Sequence, residues 1–172
     1  YKRSDFACAR YQEAVLTLAL LHETEGTGYT DSAALLDWVG AGIDYWTDIQ
    51  HDNGSFEEWY PNEQGLAVTA FSTYAVAETL LLVGDRLDTD ATESLAAAGD
   101  WLRGRNERRA LNQQAGAVMA LQNVHDVTGA ERFRAAAERK LTALLDAQSS
   151  EGWFPEYGGP DVGYLSVCAD YL

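Results

Sequence analysis

Gln50-His51-Asp52-Asn53-Gly54-Ser55-Phe56 and Gln148-Ser149-Ser150-Glu151-Gly152-Trp153-Phe154 share one spacing: Gln, three residues, Gly, one residue, Phe. The correspondence runs on past the motif. Glu58 aligns with Glu156, Trp59 with Tyr157, Glu63 with Asp161 and Gly65 with Gly163. The flanking segments carry apolar residues at helical spacing. Leu35, Val39, Ile43 and Trp46 form a stripe before the first stretch, and Leu66, Ala70, Tyr74, Ala77 and Leu81 form one after it. Phe133, Ala137, Leu141 and Leu144 form a third stripe before the second stretch. A further hinge, Arg103 to Gln114, lies midway, after Trp101. The repeating unit is a helix pair of about fifty residues, within the period range of helical repeats.

No segment alternates with a period of two, and helix-favouring Ala, Leu, Glu and Arg dominate. Breakers then set the helices. The first spans roughly residues 4–23 and stops at Glu25-Gly26-Thr27-Gly28. Thr30-Asp31-Ser32 offers an N-cap for a second, which runs to about Gln50. The third runs from about Gln64 to Val83, with Gly84 as its stop, and the fourth spans about 90–103. The fifth covers about 111–127 and stops at Thr128-Gly129, the sixth covers about 131–148, and a seventh starts near Gly163.

One amphipathic hairpin cannot cover its own apolar stripe, so neighbouring hairpins must stack. Hinges of about fourteen residues exceed what a helix connection needs, and loops of that length are commonly functional. They alternate with short turns such as Gly84–Thr89 and Thr128-Gly129, which favours a closed ring of inner and outer helices over an open solenoid. The expected fold class is all-α: repeated antiparallel helical hairpins forming part of an α/α toroid, with residues 1–172 as one domain. The chain opens at Tyr1 without a Met and stops at Leu172 inside a helical pattern, so a piece of a longer domain is expected.

Composition narrows the partners. Asp and Glu number 27 against 12 Lys and Arg, a formal net charge of −15, and the only lysines are Lys2 and Lys140. An acidic, lysine-poor, alanine-rich chain fits a salt-adapted organism, where salt screens self-repulsion. A soluble cytoplasmic protein is the matching expectation. Nucleic acid is excluded as a partner, because phosphate binding needs a basic face. The apolar runs at Leu16–Leu21 and Leu80–Val83 are too short to span a bilayer. Cys8 and Cys168 lie on apolar stretches and read as buried free thiols. No cluster has metal-ligand spacing, and no phosphate loop or dinucleotide fingerprint is present, so neither metal nor cofactor is expected. Oligomeric state is not legible.

The Gln-x-x-x-Gly-x-Phe hinges resemble the Gln/Trp-type motifs of terpenoid-cyclase toroids. They also resemble the hinges of six-hairpin glycosidases and heparinase-like polysaccharide lyases. The wider stretches Asn53–Glu63 and Glu151–Leu165 are similar to toroid domains of polysaccharide-processing proteins. The resemblance implies a carbohydrate substrate bound where the long loops gather. The Asp-x-Asp-Asp acid motif of protonating terpenoid cyclases is missing, Asp88-Thr89-Asp90 being its nearest match. A terpenoid-cyclase or prenyltransferase-like toroid and a non-catalytic helical-repeat scaffold are the alternatives.

The hinges hold the candidate chemistry. Glycoside hydrolysis needs two carboxylates flanking one bond, and Glu58 or Glu63 with Glu156 or Asp161 supplies such a pair. Eliminating a bond beside a uronate instead needs a group that neutralises the carboxylate and a base. Asn62, Asn112, Gln113 and His51 suit the first role, and Tyr60, Tyr157 and Tyr164 the second. Trp59 and Tyr60 offer flat faces to a pyranose. Arg103-Gly104-Arg105-Asn106-Glu107-Arg108-Arg109 is the one basic cluster, and Arg105 and Arg108 are candidates for bidentate contact with an anionic sugar. Glu63 and Asp161 each precede a helix, where they can equally serve the helix dipole.

Overall fold

The Gln of each repeat closes a turn onto its Gly. Gln50 donates from Nε2 to the carbonyl of Gly54 (3.2 Å) and to that of Ser94 (2.9 Å). Gln148 donates from Nε2 to the carbonyl of Gly152 (2.8 Å). The backbone repeats as well: His51 N to Ser55 O (3.0 Å) and Gly54 N to His51 O (2.8 Å) correspond to Ser149 N to Trp153 O (2.9 Å) and Gly152 N to Ser149 O (3.0 Å). Gly54 and Gly152 have φ of 88° and 93°, a region that disfavours any Cβ. The reversal turns the following phenylalanine inward. Phe56 is fully buried and stacks on Trp46 at 4.5 Å, and Phe154 is buried with Leu111, Ala115, Leu144 and Cys168.

In this computed structural model, residues 7–172 are described. Among them lie seven α-helices: α1 (Ala14–Glu23), α2 (Ala33–Asp48), α3 (Leu66–Val83), α4 (Thr92–Arg103), α5 (Leu111–Thr128), α6 (Glu131–Asp146) and α7 (Val162–Asp170). The odd-numbered helices pack side by side in chain order. Of the even-numbered ones, α2 backs onto α1, α4 onto α3 and α5, and α6 onto α5 and α4. The result is a two-layer, all-α array. α3 and α5 form its centre and are buried on nearly all sides, whereas α2, α4 and α6 each bury one stripe. Residues Leu66–Arg86 are apolar enough to cross a membrane, and burial among α1, α4 and α5 accounts for that apolarity. Gly116 lets α5 approach α3, since a Cβ there would stand 2.4 Å from the Phe71 ring.

Several boundaries differ from the sequence expectation. Of the helix expected at 4–23, residues 4–6 fall outside the described part, and the rest is a 3-10 turn at Ala9–Glu13 followed by α1. Helix α3 starts at Leu66, not Gln64, because Gln64 takes a φ of 51°. α2 and α6 stop two residues early because Gln50 and Gln148 belong to the closing turns. Ser32 sits at the N-cap of α2 without a capping hydrogen bond. Gly84 ends α3 in a right-handed conformation and opens a 3-10 turn, while Gly129 ends α5 left-handed at φ 68°. The α4–α5 hinge is only residues 104–110, so Asn112 and Gln113 belong to the first turn of α5. The α1–α2 connection, residues 24–32, is longer than that hinge, so long and short connections do not strictly alternate. Cys168 is buried as expected, with its thiol pushed up to about 11 by burial and the nearby Glu156 charge, whereas Cys8 is only half-buried.

The two repeat glycines differ in their surroundings, which separates conformational strain from collision. A Cβ on Gly152 meets nothing within 4 Å, but one on Gly54 would lie 2.2 Å from the Ala97 carbonyl oxygen. Gly152→Ala is expected to cost about 1–2 kcal/mol. Gly54→Ala is expected to cost clearly more, because α4 must move. Urea unfolding of both variants checks this, and equal losses would contradict it.

Candidate functional site

Three of the odd-numbered helices, α1, α3 and α5, run the same way. Glu23, at the end of α1, pairs with Arg86, just past the end of α3, at 2.6 Å. Glu78 of α3 accepts from Asn123 of α5 at 2.7 Å, and Phe71 near the start of α3 packs on Gly116 near the start of α5. The segments entering α3 and α5 therefore share one end of the array. The α6–α7 hinge joins them there through an antiparallel bridge between Ala110 and Glu156. Trp59, Tyr60, Tyr157 and Tyr164 are all exposed on these hinges and the start of α7, with Tyr157 and Tyr164 edge to face at 6.5 Å.

Most of the candidate carboxylates are occupied by backbone. Glu63 does not serve α3, whose N-cap is Gly65. Flanked by Asn62 and Gln64 at φ 63° and 51°, it folds back and accepts from the N–H groups of Glu58 (3.2 Å), Trp59 (2.8 Å) and Tyr60 (3.4 Å). Asp161 is the N-cap of α7 and accepts from Tyr164 N at 2.9 Å. Glu156 is 5% exposed and accepts from the backbone N–H of Asn112 (2.6 Å) and from its Nδ2, which lies 3.0 Å from both carboxylate oxygens. That bond caps α5 and ties two hinges together. Asn112 is thus held within the fold. Glu57 accepts from His51 Nε2 (3.1 Å) and from the N–H of Asn62.

Glu58 is different. Its carboxyl is half-buried, faces Arg10 at 3.7 Å, and takes no backbone donor. Arg10 Nε also pairs with Glu13, so one guanidinium serves two carboxyls. Burial holds the Glu58 pKa above the ordinary carboxylate value, Arg10 opposes that, and Glu63 adds to it. Burial likewise raises Glu13, against Arg10 and with help from Glu58. Arg10 also lies 4.8 Å over the Phe71 ring, on which Tyr171 stacks at 5.3 Å. Tyr171 meets Tyr74 edge-on at 5.0 Å. Burial raises the pKa of both phenols, reinforced for Tyr74 by Glu78 and for Tyr171 by Glu13. The 3-10 turn, the first long hinge, α3 and the end of α7 so meet in one cluster of two acids, one guanidinium and three aromatic rings.

The arginine hinge, at the same end of the array, adds no residue to that cluster. Arg105 lies 3.9 Å over the Trp101 ring and donates to the Trp101 carbonyl. Glu107 accepts from the N–H groups of Arg108, Arg109 and Ala110, which holds the hinge tight. Arg108 lines a cleft of about 550 Å³ between this hinge and α6, together with Lys140. Gln113 is half-buried on α5. Among the described residues no group of three His, Cys, Asp or Glu is placed to hold a metal.

Comparison with protein-family models, curated proteins and solved structures found no match.

Sequence reasoning singled out Glu58 but missed Arg10, Glu13, Tyr74 and Tyr171 as its company. Arg10 and Glu13 lie in a stretch that reads only as helix, and the contact of Ala9 N with Glu57 O (3.0 Å) that delivers them has no local signal. Glu156→Ala removes the cap of α5 and strands a buried N–H and amide. A loss of about 2–3 kcal/mol in urea unfolding is expected; unchanged stability would contradict the capping role.

Proposed function

We propose that the protein acts on an oligosaccharide or polysaccharide at its hinge end, with Glu58 as the proton donor to the glycosidic oxygen and Glu13 as the second carboxyl. The two-layer array is taken as an arc of an α/α toroid. The observation that carries the proposal is the Glu13–Arg10–Glu58 cluster. A carboxyl with a raised pKa keeps its proton to higher pH, as a general acid requires. A second carboxyl on the same guanidinium provides the partner that hydrolysis needs. Trp59 and Tyr60, exposed on the same hinge as Glu58, offer stacking faces for sugar rings.

Hydrolysis is favoured over uronate elimination by the same cluster. Elimination needs a base at the sugar C5 proton, and Tyr74 and Tyr171 have phenols shifted away from ionisation. Glu63, Glu156 and Asp161 act as supports for the loops that present Glu58.

The test is reducing-end release from neutral and uronate-containing polysaccharides in high salt, read alongside the ultraviolet absorbance of unsaturated uronate. Reducing ends without that absorbance are expected. Glu58→Gln should lower the rate by about 100-fold or more. Glu13→Gln should lower it too, while Glu138→Gln, on the outward side of α6, should leave it unchanged. Full activity in Glu58→Gln would overturn the assignment, and unsaturated product would replace hydrolysis by elimination.

A further inference from the structure

The cleft between the α4–α5 hinge and α6 shares no residue with the Glu58 cluster and gathers a third of the chain's basic residues. The chain has 12 Lys and Arg against 27 Asp and Glu. Yet Arg103, Arg108, Arg139 and Lys140 all line this one cavity of about 550 Å³. Two carboxylates also line it, Glu107 and Asp146. Glu107 is engaged by three backbone N–H groups of its own hinge. Arg103 is paired with Asp100 at 2.7 Å. Among the described residues, no carboxylate stands within ion-pair distance of Arg108, Arg139 or Lys140.

Lys140 is the unusual member. It is 3% exposed. Its Nζ donates to the Arg105 carbonyl and to Asn106 Oδ1 (3.1 Å), both neutral acceptors. An ammonium carries three protons, so one is left over. A buried cation without a counter-ion costs several kcal/mol in desolvation and is ordinarily paired. Burial, and secondarily the Arg139 charge, lower its pKa to about 8. The charged groups around it are Arg139 and Asp146 from its own helix, Arg103 from α4, and Glu107 and Arg108 from the hinge. The excess is positive. The hinge is rigid besides: Gln114 accepts from the Glu107 N–H (3.0 Å) and donates to Asn106 (3.3 Å), so the Lys140 acceptors are themselves held in place.

From this geometry we infer that the cleft is a binding site for the oxyanion of a small, sugar-sized ligand, with Lys140 as the buried counter-charge and Arg108 and Arg139 as the outer clamp. The shared chemistry is a carboxylate, sulfate or phosphate on a compact organic body. The cavity volume lies in the range of small-ligand pockets. Two planar guanidiniums beside one ammonium match an oxyanion's acceptors. The remaining surface is strongly acidic and repels a long polyanion, so a ligand of one or two charges fits better. This site does not depend on the saccharide chemistry proposed for Glu58.

Calorimetric titration of the protein at pH 7 with glucuronate, glucose 6-phosphate, inorganic sulfate and glucose tests it. Binding of glucuronate or glucose 6-phosphate, with none of glucose, is expected, and the stronger of the two identifies the oxyanion. Arg139→Gln and Arg108→Gln, both exposed and remote from the core, should each weaken binding by about tenfold. Binding should weaken between pH 7 and 9.5 as Lys140 loses its proton, and it should take up protons near pH 8, seen as a heat that depends on the buffer. Lys140→Met should abolish both binding and proton uptake. The inference is overturned if neither organic anion binds, if glucose binds equally, if inorganic sulfate binds as tightly as both organic anions, or if the two arginine variants bind like wild type.

Discussion

The hydrogen bond from a helix-ending glutamine to the glycine carbonyl four residues on is the constraint from which the rest follows. It fixes where α2 and α6 stop, and it forces the left-handed glycine that reverses the chain. The reversal drives Phe56 and Phe154 into the interior, and each phenylalanine lands on the side chain one helical turn before its own glutamine, Trp46 and Leu144. A polar side chain and an aromatic one therefore clamp each long hinge from both sides. Gln50 also reaches the Ser94 carbonyl on α4, so the same residue that closes one hairpin ties it to the next.

With the hinges anchored, their remaining polar groups organise the loops instead of reaching into solvent. Glu63, Glu107, Glu156 and Asp161 each take up backbone N–H groups that the irregular path leaves unpaired. In a chain so rich in acid, carboxylates are the readiest acceptors for such donors. The consequence for function is subtraction. Carboxylates spent on the backbone are held in place by it, whereas Glu58 takes no backbone donor and shares its arginine with Glu13.

Much of the architecture was legible because the repeat and the helical periodicity are local signals. The helix order, the breaks at Gly54, Gly129 and Gly152, and the burial of Trp46 and Phe133 all follow from spacing along the chain. Helix ends were less legible, since Gln64 and Gln148 look helical until the turn geometry claims them. The site was read only in part. Glu58 was visible as a hinge acid, but its difference from Glu63 and Glu156 lies in who donates to each, which is a tertiary property. Lys140 was hidden for the same reason. It stands among Ala, Arg and Glu on an outer helix, and only the path of the α4–α5 hinge across it makes it a buried charge.

The state of the Glu13–Arg10–Glu58 cluster is the centre of the functional account, and carbon-detected NMR titration of the glutamate carboxyls measures it most directly. The account predicts midpoints for Glu58 and Glu13 above the ordinary glutamate value of 4.5, with the Glu13 midpoint falling when Glu58 is replaced by Gln, because a neighbouring negative charge is then removed. Midpoints at or below that value for both residues, unmoved by the substitution, would contradict it.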